Sequence, residues 1–344
     1  MEVLFHDADP FFKSLISALE RAQKNVHYES YIFEKDTLGK LIIRHLLRAA
    51  KRGVKVSLVI DGIGSSSFKA KDIIWFRNRG IDLHIYNPLP SQVIYVRPVQ
   101  FSFSLFKSLW FINKRNHRKM CLIDKKHFFA GSFNTSMIHS RYFSGRNAWR
   151  DSGVRLTFSH KNGLSRSRVR LNHTKRLRLY YYRELLRRID QAQGRIWITN
   201  PYFVPPLKLS NALIKARQRG VDVRLIIPER CDLLAFPLIN ALYYKRLVKC
   251  GVRVHAFRPR VLHAKTMLID DWAILGSTNL NSRSRLHDLE VDVALKSQHA
   301  INSLEYQFIT DLSHTKTIGH HDIIRRYGRA LPTFPFWKLV SYWL

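Results

Sequence analysis

The chain has 344 residues, with 58 Lys and Arg against 25 Asp and Glu, a net charge of +33. Its 46% hydrophobic and 12% aromatic content is ample for a packed core and excludes global disorder; the length fits about two domains. So large a positive surplus points to a polyanionic partner (nucleic acid, an anionic membrane or a phosphate-rich small molecule) without choosing among them.

The N-terminus, Met1 to Asp7, has no basic region leading into an apolar stretch, so no secretory signal is expected. No uninterrupted apolar run of about 18 residues occurs, so no bilayer-spanning helix is expected either. Cys121, Cys231 and Cys250 are too scattered for a disulfide framework or a zinc site, and read as free thiols in a reducing compartment.

Along the chain, a helix-like stretch ends at Ala22 to Asn25 and feeds a β-rich run to Phe33. Arg52-Gly53 closes a second helix, and Val54 to Ile60 reads as a β-branched strand. Arg79-Gly80 repeats that grammar before Ile81 to His84. An aromatic and basic insert follows, near Leu89 to Asn113, and then His117-Arg118-Lys119-Met120-Cys121-Leu122-Ile123-Asp124 and Gly131-Ser132-Phe133-Asn134. A basic segment from Lys161 reads first as a linker and then, from Leu177 to Ile189, as a helix.

After it the same elements return. Ala192 to Ile198 echoes Ala22 to Tyr28, Arg219 to Ile227 echoes Arg52 to Ile60, and Cys250 to His255 echoes Arg79 to His84. Next come His263-Ala264-Lys265-Thr266-Met267-Leu268-Ile269-Asp270 and Gly276-Ser277-Thr278-Asn279. Strands alternating with helices at this spacing predict two α/β halves with largely parallel sheets. The domains are expected at 1–160, with the insert at about 89–113, and at 179–330. A basic linker at 161–178 joins them, and an aromatic tail occupies 331–344.

One HxKxxxxD could be accidental in a chain with 16 His, but two, each followed by GSxN, are not. Side chains two apart on a strand share a face, so His117 projects with Lys119 and His263 with Lys265. Asp124 and Asp270 have the opposite parity, which fits anchoring of a turn better than contact with the imidazoles. Ser132, Asn134, Ser277 and Asn279 could cap a helix N-terminus and so help bind an anion. Two His–Lys pairs around one phosphoryl group allow one His to attack phosphorus while the other protonates the leaving alkoxide. No metal cluster is apparent in the sequence, and no cofactor is expected.

On these motifs the chain resembles the phospholipase D superfamily and, within it, bacterial cardiolipin synthases of the B-type without N-terminal membrane helices. The likeness runs from about Tyr28 to Leu295 and includes Asp61 to Ser65, Arg115 to Lys119 and Asn200 to Pro205. It implies an α/β fold of two phospholipase D-like repeats, each a mixed, mostly parallel sheet flanked by helices. The repeats would share one active site on a pseudo-twofold axis. It implies a covalent phosphohistidine on His117, with His263 as general acid and then base, and Asp124 and Asp270 within the catalytic motif. It also places a carboxylate against each histidine, here Asp151 and Glu290, to fix the tautomer that leaves Nε2 free.

The implied reaction transfers a phosphatidyl group from a donor such as phosphatidylglycerol to make cardiolipin. The implied setting is the cytoplasmic face of a bacterial inner membrane, with an anionic phospholipid as substrate and no obligatory nucleic acid. A nuclease of the same superfamily and a hydrolase using water as acceptor are the rival readings.

Overall fold

The computed structural model describes residues 1–93, 114–158, 168–231 and 236–327. Most of the expected insert, the start of the expected linker and the aromatic tail lie outside the described residues. In the first half, strands β1 (Glu2–Phe5), β2 (Asn25–Ser30), β3 (Lys55–Asp61), β4 (Ile81–Tyr86), β5 (Lys119–Ile123), β6 (His127–Gly131) and β7 (Gly153–Thr157) form one sheet. Its order is β1-β7-β6-β5-β2-β3-β4. The second half contains β8 (Val169–Leu171), β9 (Arg195–Thr199), β10 (Asp222–Pro228), β11 (Arg253–Phe257), β12 (Thr266–Ile269), β13 (Trp272–Gly276), β14 (Val291–Ala294) and β15 (Thr315–Thr317). Starting at β8, the order β8-β14-β13-β12-β9-β10-β11 reproduces the first sheet, with β15 added at the far edge.

Local chemistry explains these elements. The helix Thr37–Lys51 starts where Asp36 accepts a 2.8 Å hydrogen bond from the Gly39 amide, and Leu38, Ile42, Leu46 and Ala49 form its buried stripe. It stops at Gly53, whose φ of 86° is left-handed, and Gly220 (φ 93°) closes the equivalent helix Leu207–Gln218. In β3, Val56, Leu58 and Ile60 alternate into the core as a half-buried strand requires.

The sheets are mixed, as expected, but not mostly parallel. Parallel pairing is confined to β2–β3–β4 and β9–β10–β11. The other ladders are antiparallel. The motif strands β5 and β12 return through short hairpins, and a hairpin joins antiparallel strands, whereas parallel neighbours need a crossover. The second repeat also begins earlier than its sequence echo. Within the stretch read as linker, β8 pairs with β14 as β1 pairs with β7, and the helix Lys175–Gln191 starts. Three residues carrying a central Arg170 leave little strand signal in the sequence.

Helices cover the outer face of each sheet, and the inner faces meet around the helix Gln298–Ser313, whose Ala300, Ile301, Leu304 and Phe308 join the shared core. Met120, Phe128, Val154 and Leu156 of the first sheet pack with Trp197, Leu268, Leu275 and Val293 of the second in one apolar cluster. Adjacent residues Phe128 and Phe129 point to opposite layers, one toward the partner sheet and one toward the helices. Among the described residues no helix is long and apolar enough to cross a membrane.

Because Phe128 is 1% exposed within the shared core, Phe128→Ala should destabilise the protein by about 3–5 kcal/mol. Denaturant unfolding followed by tryptophan fluorescence measures this, and a change below 1 kcal/mol, on the scale of a surface substitution, would show that the sheets do not depend on this contact.

Candidate active site

The two motif segments are fixed by buried polar contacts before they reach their histidines. Asp61, at the end of β3, receives the Arg115 guanidinium through Nε at 3.0 Å to each oxygen and through Nη2 at 2.8 Å. It also accepts the amides of Ile63, Gly64 and Asn116. Removing both ions from water is costly, and this bidentate geometry with added amides is what offsets it. From there the chain crosses to the other half. The His117 amide donates to Leu289 O, and the Leu289 amide to Arg115 O, both at 2.9 Å. The second motif mirrors this: the Arg150 amide donates to Val261 O, and the His263 amide to Arg150 O, both at 2.8 Å. Arg150 is itself paired with buried Asp311 at 2.8 Å.

These crossings decide the histidine partners. His117 Nδ1 lies 3.0 Å from Glu290 Oε2, and His263 Nδ1 lies 2.7 Å from Asp151 Oδ1. Each half therefore supplies the carboxylate for the histidine of the other half. With a carboxylate on Nδ1, the proton is assigned to that nitrogen and Nε2 is left with its lone pair. Glu290 also accepts from Ser284 Oγ at 2.6 Å and from Ser277 Oγ.

The lysines complete the cluster. Lys119 Nζ donates to His117 O at 2.8 Å and Lys265 Nζ to His263 O at 2.6 Å. Lys119 lies over the Tyr31 ring and Lys265 over the Tyr202 ring, 5.0 and 5.7 Å from the centroids. Burial, reinforced by Lys119, Lys265 and Arg283, holds His117 well below its ordinary value of 6.5. Lys265 acting on a first-half histidine places both motifs in one electrostatic field. Burial and Lys265 lower His263 to about 3 against the opposing pull of Asp151. Burial pushes Glu290 up to about 7. Burial would also raise Asp151, but His263 and His139 more than offset it and keep the carboxylate ionised. Burial likewise holds Lys119 well below its ordinary value, so the site is a pair of neutral imidazoles beside buried lysines, suited to an anionic phosphoryl group.

Not every expected residue is here. Asp124 accepts the amides of Gln23, Lys24 and Asn25 at 2.7–2.9 Å, and Asp270 those of Gln193, Gly194 and Arg195 at 2.8–3.0 Å. Each lies at the far end of its own motif strand, β5 or β12, about 16 Å from the lysine of that motif at a rise of roughly 3.3 Å per residue. Placing them among the catalytic residues is thus corrected: they lock the start of β2 and β9. Their parity pointed that way.

The expected helix cap at GSxN is also replaced. The caps fall two residues later, on Ser136 and Asn281, while Asn134 Oδ1 holds the Ile32 amide at 3.2 Å. Ser132 and Ser277 bridge neighbouring strands through the Ser152 and Val291 amides, both at 3.0 Å. Asn279 is buried beside Ser284, whose Oγ accepts its amide at 3.3 Å. A Cβ on Gly131 would collide with Ser152 O and one on Gly276 with Val291 O, which explains the glycine of the motif.

Sequence reasoning missed Tyr31, Ser284 and His139. Tyr31 stacks edge-on to His117 at 4.8 Å, and its place just before Phe33 in the repeat was the available signal. His139 Nδ1 lies 2.6 Å from Asp151 Oδ2. His139, Asp151 and His263 are compact enough to hold a cation, but their facing atoms are already joined by short hydrogen bonds. That donor set fits proton handling better than metal ligation.

The model of the family described as "Cardiolipin synthase, PLD-like domain" matches residues 15–141 and 185–312. The chain belongs to this family. It is 29% identical to a cardiolipin synthase of Clostridium perfringens (strain SM101 / Type A), covering 95% of this chain and 75% of the relative. It is 30% identical to cardiolipin synthase B of Escherichia coli (strain K12), covering 86% of this chain and 76% of the relative. Among solved structures, phosphatidylserine synthase of Haemophilus influenzae Rd KW20 has the same fold, with a TM-score of 0.72 at 14% identity over 100% of this chain and 95% of that one. Polyphosphate kinase from Porphyromonas gingivalis superposes with a TM-score of 0.65 at 12% identity, over 98% of this chain and 53% of the other.

The two kinds of aspartate should separate in experiment. Asp124→Ala and Asp270→Ala should each cost about 1 kcal/mol of stability, as for a lost cap, and leave kcat within about threefold. Asp151→Asn should keep the fold and lower kcat by about 10³-fold, because the amide no longer enforces the tautomer of His263. Equal losses of kcat in both classes would overturn this division.

Proposed function

We propose that the protein is a phosphatidyltransferase that makes cardiolipin from phosphatidylglycerol through a phosphohistidine on His117. The observation that carries this reading is the pair of histidines, each with Nδ1 held by a buried carboxylate of the opposite half and flanked by a buried lysine. Family membership and the cardiolipin synthases among the relatives support the substrate class.

The geometry divides the labour as follows. Neutral His117 attacks phosphorus with its Nε2 lone pair, and Glu290 stabilises the positive charge that develops on the ring. His263 takes up a proton at Nε2 from solvent when the anionic phosphodiester binds beside it, gives that proton to the leaving glycerol and later accepts the proton of the incoming alcohol. Lys119 and Lys265 stabilise the phosphoryl oxygens as charge moves onto them. The two histidines bind one phosphate, so their titrations are coupled.

A peripheral position on the cytoplasmic face of an anionic bacterial membrane belongs to this proposal. Ile63 and Leu207, 38% and 65% exposed, follow β3 and β9 at the same end of the sheets as the histidines. Apolar side chains there, with a charge of +33 behind them, suit an anionic lipid surface.

Purified protein given phosphatidylglycerol vesicles without added metal should release cardiolipin and glycerol, and His117→Ala and His263→Ala should each abolish turnover. With phosphatidyl-p-nitrophenol, whose leaving group needs no proton, a phosphoenzyme should accumulate in His263→Ala and not in His117→Ala. Cleavage of DNA with inert lipid would replace this reading with a nuclease, and phosphatidic acid as the main product would replace it with a hydrolase.

The depressed His117 also predicts pH behaviour. Protonation removes the nucleophile, so kcat/KM falls toward acid, and because its value lies below 6.5 the acid limb should fall below pH 6.5. Short-chain phosphatidylglycerol assayed from pH 4 to 9 locates that limb; a limb above 6.5 would contradict the burial of His117.

A further inference from the structure

The two halves look alike at their histidines but not behind them. On the first-motif side, Glu290 is held by His117 and by two hydroxyls, Ser277 and Ser284. On the other side, Ser132 Oγ is turned away to Ser152 O at 3.2 Å. Asp151 instead accepts from two imidazoles, His263 at 2.7 Å and His139 at 2.6 Å. His139 and Ser284 occupy equivalent places, each the fifth residue after the Asn of its GSxN. Asp151 and His139 are 0% and 1% exposed, and the Trp149 ring lies 5.3 Å from both His139 and His263, sealing the group from water.

We infer that His139 is a positioning residue that makes the two active-site histidines unequal, binding the second oxygen of Asp151 and fitting His263 to deliver the leaving-group proton. The inference rests on the two-histidine reading of the proposed function. A hydroxyl on a carboxylate only orients it. The imidazole of His139, packed against Trp149, also fixes the plane of the carboxylate that meets His263, whereas the Glu290 carboxylate has only hydroxyls on that side. Drawing negative charge toward His139 also weakens the grip of Asp151 on the His263 imidazolium, which then releases its proton more readily.

In the first step His117 Nε2 bonds to phosphorus and the bond from phosphorus to the glycerol oxygen breaks. The electron pair stays on that oxygen, which takes the proton from His263 Nε2. In the second step the acceptor hydroxyl loses its proton to His263 Nε2 as its oxygen bonds to phosphorus, and the N–P electron pair returns to His117.

The test compares leaving groups. Glycerol leaves as an alkoxide and needs the proton, whereas nitrophenolate leaves without one. First-turnover release is measured from phosphatidylglycerol and from phosphatidyl-p-nitrophenol, using the full chain, its His139→Ser variant and its His139→Asn variant. The Asn variant keeps a donor for Asp151 in case Ser disturbs the fold.

Both variants should slow glycerol release by about tenfold, less than the roughly 10²–10⁴-fold of a general acid removed outright, while nitrophenolate release stays within about twofold. Equal slowing with both substrates, or no slowing with either, would overturn the role of His139. If the unmodified protein releases neither product, the two-histidine reading itself falls, and this inference with it.

Discussion

An imidazole keeps one tautomer only while its second nitrogen is occupied by a group that cannot drift, and in this chain that group comes from the other half. His117 depends on Glu290 and His263 on Asp151, so the tautomer of each histidine is set across the interface. The backbone pairing of Arg115 to His117 with Leu289, and of Arg150 with Val261 to His263, brings those carboxylates into reach. The apolar cluster between the sheets holds that pairing in place. Core packing, interface and acid–base chemistry are therefore one system, and loosening the contact of the sheets loosens the proton positions.

The same dependence explains the charge distribution. Lys119, Lys265 and Arg283 all press on His117, and two carboxylates lie buried beneath the imidazoles. Such a cluster is expensive to bury unless each member is hydrogen-bonded, and each carboxylate here has at least two donors. Under the proposed function, an anionic phosphoryl group entering on the Nε2 side would add negative charge beside the buried lysines. Under the proposed function, the bulk surplus of Lys and Arg plays a different part, drawing the chain toward anionic lipid from a distance.

Much of this could be read from residue order. The two motifs, the repeat, the helix-closing Gly53 and Gly220, and the parity that set Asp124 and Asp270 apart are all local patterns. The identities of Asp151 and Glu290 came from family resemblance, but their crossed allegiance did not, because each sits beside the GSxN of its own half and only tertiary pairing turns it outward. β8 escaped notice because three residues with a central arginine carry no alternation long enough to register. The mostly parallel sheet was wrong in proportion: repeated helix–strand units dominate the sequence pattern, whereas the hairpins that carry the motifs occupy few residues. His139 was one histidine among many, distinguishable only by comparing its offset with that of Ser284.

The aspartate at the end of each motif turns the motif into a ruler. It clamps three successive amides at the head of the neighbouring strand, so the span from that clamp to His and Lys is the length of one short strand. A slip of one residue would swing the motif His and Lys side chains to the opposite face. Length varies between the halves at several places outside this span. The two halves differ before the histidine, in the hairpin turn after Asp124 and Asp270, and between GSxN and the carboxylate, yet His-to-Asp spacing is identical in both. What the repeat has kept constant is a distance.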